Sequence, residues 1–230
     1  MNYLATVYRS LAGLQAILAY GWAFALSAVH EPNFPETDCV CKCGTHSRTL
    51  QIANEIRSEQ CKVIQSAGIQ HVLYAYDKQY RDRIASYWSV SAQLSPDCII
   101  QPVSTTEVSQ TMRILAGNAA CVKTNFAVRG GGHMPWAGSN NIDHGITIDL
   151  GLIHTTTFNA DTEIASVGSG SRWAEVYAAL EPYGVTVAGG RTGTVGVAGF
   201  LMGGGNSFYT AEKGFACDTV VNFEVVLATG

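Results

Sequence analysis

The sequence has little charge and no run of it. Of 230 residues, 14 are Lys or Arg and 18 are Asp or Glu, a net charge of −4. Without a basic cluster, an electrostatic nucleic-acid binder is excluded as a class. With 47% hydrophobic and only 14% charged residues, a disordered tail is excluded too. Familiar signatures are also absent: no Walker A loop, no G-x-S-x-G elbow, no H-E-x-x-H pair, no internal repeat and no low-complexity linker. The length fits one domain or two small ones.

What is there is glycine, unevenly placed. Of 24 glycines, 17 lie between Gly130 and Gly205, a span with eight charged residues, of which Arg172 and Arg191 alone are basic. Three loops carry the enrichment: Arg129-Gly130-Gly131-Gly132-His133, Gly168-Ser169-Gly170-Ser171, and Gly189 through Gly205. Each follows an apolar segment. Consecutive glycines let backbone N–H groups converge on an anion without interference from Cβ atoms, and a helix beginning near Arg172 adds a positive dipole end. With so few cations nearby, a phosphate there must be held mainly by backbone, which a dinucleotide pyrophosphate suits. The Rossmann pattern G-x-G-x-x-G fails, because Trp173 stands where the third glycine belongs and no acidic residue follows at ribose distance. A non-Rossmann flavin fold survives.

Along the chain, Met1 to Ala28 reads as a signal peptide: Arg9, an apolar run from Leu11 to Leu26, then small residues Ala25, Ser27 and Ala28. A retained anchor is the alternative, weakened by Gly13, Gln15 and Gly21 within the run. The expected localisation is therefore secreted or endomembrane lumen. The seven cysteines, Cys39, Cys41, Cys43, Cys61, Cys98, Cys121 and Cys217, suit such an oxidising setting. Cys39-Val-Cys41-Lys-Cys43 with His46 lacks the two-residue gap of a zinc chelate, so disulfides are expected and no metal. Cys121 and Cys217, in apolar surroundings, are expected to be buried and inert.

A lead-in segment, 29–95, has a helix expected from Leu50 to Ala67, a short strand from Val72 to Tyr76, and a surface segment, Tyr76 to Trp88, held by its rings. From 96 onward strands and helices alternate, an α+β or α/β layered domain. Strands are expected at Cys98–Gln101, Asn125–Val128, Ile146–Leu150, Ile164–Val167, Val185–Ala188 and Val220–Ala228. One helix opens on the capping box Ser104-Thr-Thr-Glu107 and closes at Gly117. A second is marked by Trp173, Val176, Tyr177 and Leu180 and closed by Gly184. A strong strand directly before Thr229-Gly230 gives the sequence the look of one cut short.

Four blocks in order then carry a specific resemblance. FAVRGGGHMPWAGSNNIDHGITIDL from Phe126, VGSGSRWAEVY from Val167, AGGRTGTVGVAGFLMGGG from Ala188 and FACDTVVNFEVVLATG from Phe215 resemble the FAD-binding (PCMH-type) domain of the vanillyl-alcohol oxidase superfamily, in particular the berberine-bridge-enzyme-like oxidases. Tyr87-Trp88-Ser89 and Pro96-Asp97-Cys98-Ile99 are similar to that family's lead-in. The resemblance covers roughly the last two thirds of the chain.

The resemblance implies an FAD-binding domain of two small α/β subdomains over 96–230, incomplete at its C-terminus. It places a covalent bond to FAD on His133, the alternative being a histidine that only hydrogen-bonds the cofactor. Arg129, Gly130, Gly131, Gly132, Gly168, Gly170, Gly189, Gly190, Thr194, Val195, Gly196 and Gly199 would line the cofactor, with Asp218, Val221 and Val225 near its adenosine end. A second attachment, through a cysteine, maps to Thr192, so single attachment is implied. The family's lead-in disulfide maps to Cys61–Cys98. The implied function is an FAD-linked oxidoreductase of a small organic or secondary-metabolite substrate, with hydride passing to flavin N5 and dioxygen as acceptor. The alternative is a truncated chain that binds FAD without catalysis. The family's substrate domain and catalytic base map past position 230, so no base is assigned. Tyr209 and His144 are read as packing or turn residues.

Overall fold

A computed structural model describes residues 59–117 and 125–230 together with a two-residue strand, β1 (Ala5–Thr6). The rest of the 1–28 segment, Cys39, Cys41, Cys43, His46, Cys121 and the first half of the helix expected at 50–67 lie outside the described residues.

Two α/β lobes follow one another. In the first, strands β2 (Val72–Leu73), β3 (Cys98–Ile100), β4 (Phe126–Arg129) and β5 (Ile146–Asp149) form one sheet in the order β2-β3-β5-β4. The β3–β5 and β5–β4 pairs are parallel, and β2 closes the edge antiparallel. β3 and β5 are buried along their whole length; β3 is an unbroken apolar run, as a strand covered on both faces allows, while β5 alternates Ile146 and Ile148 with the hydrogen-bonded Thr147 and Asp149. Helix α1 (residues 59–66) supplies Cys61 and Ile64, and helix α3 (Thr105–Gly117) supplies Val108, Met112 and Leu115 to the core they share with Ile100, Ile146 and Ile148. The Cys61–Cys98 disulfide staples α1 to β3, closing a loop of sequence separation 37. α3 starts as the capping pattern predicts on one side: Glu107 N–H donates to Ser104 Oγ at 3.2 Å. The reciprocal bond differs, because the Glu107 carboxylate takes the Val103 amide at 3.0 Å instead of that of Ser104.

Between β2 and β3 the expected surface segment contains a helix, α2 (Lys78–Ala85). Its charged residues mask the period, but Tyr80 is buried and donates to the Pro96 carbonyl at 2.7 Å. Burial raises the Tyr80 phenol to about 12, so it remains a donor.

In the second lobe, β6 (Thr156–Asn159) and β7 (Ile164–Val167) form an antiparallel hairpin, and β1 pairs in parallel with β7. β6 is a strand that sequence patterning missed; its alternation is polar, and its turn is made by Asn159 Oδ1, which accepts from Asp161 and Thr162 amides. Helix α4 (Trp173–Leu180) covers this hairpin, burying Trp173, Val176 and Leu180. After a tight turn, Gly184 takes φ +67°, the left-handed stop expected of it. Two short helices, α5 (Val197–Met202) and α6 (Thr210–Lys213), complete the order.

Three expectations are corrected. Segment 185–188 forms no strand; Val187 is buried in the α4 core and Ala188 is buried beside it in sequence, neither joining a ladder. Segment 220–228 likewise forms no continuous strand, only isolated bridge residues at Val220 and Leu227, with Val226 packed on the first core while Val221, Phe223, Val225 and Leu227 are exposed. Cys217 is partly exposed instead of buried, its thiol 3.8 Å from Asp218 Oδ1.

Candidate functional site

The three glycine loops meet where the lobes join. β4 delivers the 130–133 loop, β7 delivers 168–171, and the chain entering α5 delivers 193–196. The closest crossing is between backbones: a methyl added at Gly131 would lie 2.5 Å from both Cα and N of Gly196. A methyl added at Gly130 would meet the Ser169 carbonyl and the Ala198 side chain at 3.6 and 3.8 Å, ordinary contact. Arg172 fastens the crossing, with Nη2 donating to the Gly131 carbonyl at 3.0 Å and its backbone forming an antiparallel bridge with Gly196. Val197 N–H donates to the Ser171 carbonyl at 3.0 Å.

The glycines divide by what they face. Gly168 and Gly170 are required because a Cβ would run into the Ile153 and Leu150 carbonyls, and Gly189 and Gly190 because one would strike the Trp173 ring. Those four shape the loops. Gly132 takes φ +67°, a left-handed turn that also leaves room for the Arg129 guanidinium. Thr194 and Gly199 are exposed, Gly199 with open space around it, and Val195 is half-buried. Asp218 caps a turn, accepting from the Phe215 amide at 2.8 Å, and that turn is tied to the glycine segment by Ala216 N–H to Gly205 and Cys217 N–H to Gly204. Val221 and Val225 are exposed beyond it.

The α4 N-terminus departs from its expected role. The Trp173 and Ala174 amides donate to the Val195 and Gly193 carbonyls at 3.1 and 3.0 Å. Those donors therefore bind the crossing together and are not offered to a phosphate.

His133 stands at the loop's end, half-buried, with its ring stacked on Trp88 at 5.1 Å between centroids and 25° between planes. Its pKa is lowered, first by burial and then by the Arg172 charge, while a hydrogen bond with its own backbone opposes them. Neutral imidazole is thus favoured at pH 7, and Nε2 is buried without a hydrogen-bond partner. Ser171 Oγ, Trp173 Nε1 and Arg129 Nε are orphaned in the same way. Four such atoms on one crossing fit a polar ligand that the protein alone does not replace.

Arg129 serves the loop from beneath. Fully buried, it donates to the Arg83 carbonyl at 2.8 Å and Ser86 Oγ at 2.9 Å, and lies 3.8 Å over the Tyr87 ring. Burial lowers its pKa and raises that of Tyr87. Alongside, Arg83 grips the buried Asp149 carboxylate through Nε and Nη2 at 2.6 and 2.7 Å, with Gln101 Nε2 at 3.1 Å. Sequence reading gave no site role to Arg83 or Asp149 and placed Trp88 in the lead-in without its contact to His133, because their partners are remote along the chain. His144, at φ +54°, is a turn residue, donating its amide to Ser95.

A glycine-lined crossing of two α/β lobes, topped by an unpaired neutral imidazole and lacking the Rossmann turn, defines a cofactor-binding domain of the flavin type. Residues 96–230 match the family described as FAD binding domain, and the chain belongs to that family. It is 39% identical over 181 residues to the FAD-dependent monooxygenase drtC of Aspergillus calidoustus, covering 78% of this chain and 35% of that protein. It is 37% identical over 171 residues to the FAD-dependent monooxygenase sdcF of Emericella nidulans, covering 74% and 35%. Among solved structures, it resembles 6-hydroxy-D-nicotine oxidase from Arthrobacter nicotinovorans, with TM-score 0.59, 28% identity, and coverage of 66% of this chain and 32% of that one. Berberine bridge enzyme in complex with (S)-reticuline shares the fold at TM-score 0.60 and 24% identity, covering 72% and 34%. The chain thus spans about a third of the length of the curated relatives it matches.

Proposed function

We propose that this chain is the FAD-binding part of an FAD-linked oxidoreductase acting on a small organic molecule of the secondary-metabolite kind, with dioxygen as electron acceptor and His133 as a covalent tether. The observation that carries the reading is the contact of Gly131 with Gly196, which gathers the loops beside an imidazole whose Nε2 has no partner. Gly130, Gly131, Gly132, Thr194, Val195, Gly196 and Gly199 would hold the cofactor, and Asp218, Val221 and Val225 its adenosine side. Gly168, Gly170, Gly189 and Gly190 act through the loop shape they permit. When bound, FAD supplies two-electron redox chemistry that no side chain has.

His133 contributes a neutral ring, since its lowered pKa leaves a nitrogen lone pair free for bonding. A tether would join a His133 nitrogen to the flavin 8α-methyl carbon, with dioxygen as the two-electron oxidant taking up the two displaced hydrogens. Thr192, exposed at the second-attachment position, offers an alcohol in place of a thiolate, so attachment is single. The Cys61–Cys98 disulfide supports an oxidising compartment, a secreted or endomembrane-lumen setting reached through a signal at 1–28. We further assign 29–95 as the lead-in and 96–230 as the FAD-binding unit.

Purified full chain tests this by absorbance in the flavin bands before and after acid precipitation. Colour that survives acid in the wild type and not in His133→Ala is the expected result. A colourless wild type overturns the cofactor reading, and colour that washes out with acid overturns the tether.

A further inference from the structure

Trp88 is 63% exposed, yet one face of its indole is occupied. One use is visible, the stack on His133 at 5.1 Å. The same residue holds the loop by its main chain, since Trp88 N–H donates to the Gly132 carbonyl at 3.1 Å. It therefore grips both the histidine ring and the backbone one residue before it.

Trp88 sits in a strap, residues 86–97, that follows the 129–145 segment. Ser86 Oγ accepts from Arg129 Nη2 at 2.9 Å, and Tyr87 Oη donates to the Asn140 carbonyl at 2.9 Å. Ser91 Oγ donates to the Pro135 carbonyl. Asn141 Nδ2 donates to the Ala92 and Leu94 carbonyls at 2.9 and 3.0 Å. The Ser95 and Asp97 amides donate to Asp143 Oδ1 and the Gly145 carbonyl at 2.6 and 2.7 Å. A loop rich in glycine has little stiffness of its own, and this strap supplies it.

We propose that Trp88 is the positioning residue for His133, its indole fixing the plane of the imidazole and its amide fixing the loop, so that Nε2 keeps one orientation toward the cofactor. The claim rests on the tether reading of His133 and predicts more than that reading does. A histidine on a glycine loop rotates about two side-chain bonds, and a flat partner over one face removes most of those orientations.

Full-length Trp88→Ala and Trp88→Phe variants test it with three readouts: the imidazole resonances of His133 in the flavin-free chain, assigned against His133→Gln; the rate at which added FAD becomes acid-stable; and the melting temperature. Trp88→Ala should remove the ring-current shift of the His133 protons and slow attachment by about three- to ten-fold, the span of one aromatic contact. Trp88→Phe should keep most of both. Melting should move little, because so exposed an indole buries little surface. Unchanged His133 resonances in Trp88→Ala overturn the proposal, as does equal slowing in both variants accompanied by a lowered melting temperature, which is what a merely structural residue gives. If the wild type holds no acid-stable flavin, the tether reading fails by itself, and the His133 resonances still decide whether Trp88 sets the ring.

Discussion

Replacing Gly131 by alanine adds one methyl group at the crossing of two loops. That methyl would lie 2.5 Å from the Cα and the N of Gly196, about an ångström inside ordinary contact, and both neighbours are backbone. Gly131 is held by Arg172 through its carbonyl, and the 195–197 chain is held by Trp173 and Ser171, so neither side yields freely. Over-packing of this kind costs about 1–3 kcal/mol. For a chain of this size, each kcal/mol moves the midpoint by about 2–4 °C, so we expect Gly131→Ala to melt roughly 2–12 °C below the wild type. Gly199→Ala adds the same methyl within α5, where nothing lies within 4 Å; it should gain about 0.5–1 kcal/mol from helix preference and melt slightly higher. Gly196→Ala should reproduce the loss, and the Gly131→Ala/Gly196→Ala double variant should lose less than the sum, because one separation relieves both clashes. Thermal melts of the full chain, with flavin retention measured in parallel, decide the matter. A Gly131→Ala chain as stable as wild type would refute the loop crossing on which the site depends.

Asp149→Ala should destabilise the chain by about 3–5 kcal/mol in urea unfolding, since it leaves Arg83 and Gln101 without the buried carboxylate that accepts from both. Loss of the Cys61–Cys98 link, by Cys61→Ala/Cys98→Ala, should cost about 4 kcal/mol for a loop of separation 37, read as a lowered urea midpoint. His133 gives a pH signature: its pKa in the folded chain is below the ordinary 6.5, so the stability tied to the neutral ring is complete above about 6.5 and falls as acid is added down to the folded value. His133→Gln should flatten that decline below about pH 6.5; an unchanged slope would show that the ring is not disfavoured as a cation.

The parts of the fold legible in sequence were those with local causes. Ser104 with Glu107, the apolar spacing Val108-Met112-Leu115, the stop at Gly184 and the unbroken apolar run at β3 each rest on neighbours within a turn or two of chain. The readings that failed lacked such causes. α2 hid behind charged residues, because its one buried ring finds its partner at Pro96. Segments 185–188 and 220–228 have strand-like composition, yet a strand needs a continuous ladder to another backbone, which single bridge residues at 220 and 227 do not make. For the site, the loop order and the position of His133 were readable, while the division of labour among the glycines was not. Gly168 and Gly170 look like an anion cradle and prove to be points where the chain passes its own carbonyls.

By itself the sequence determined the class of domain, the absence of a Rossmann turn, the helix boundaries set by caps, and the loop on which the imidazole would sit. Tertiary structure alone decided that Gly131 meets Gly196, that Arg83 reaches Asp149 across 66 residues, that α4 turns its amides to the 193–195 carbonyls, and that Trp88 covers His133. The physical reason is range: capping and periodicity act over three or four residues, whereas the surroundings of a buried charge or a bare Cα are set by whichever distant segment packs there.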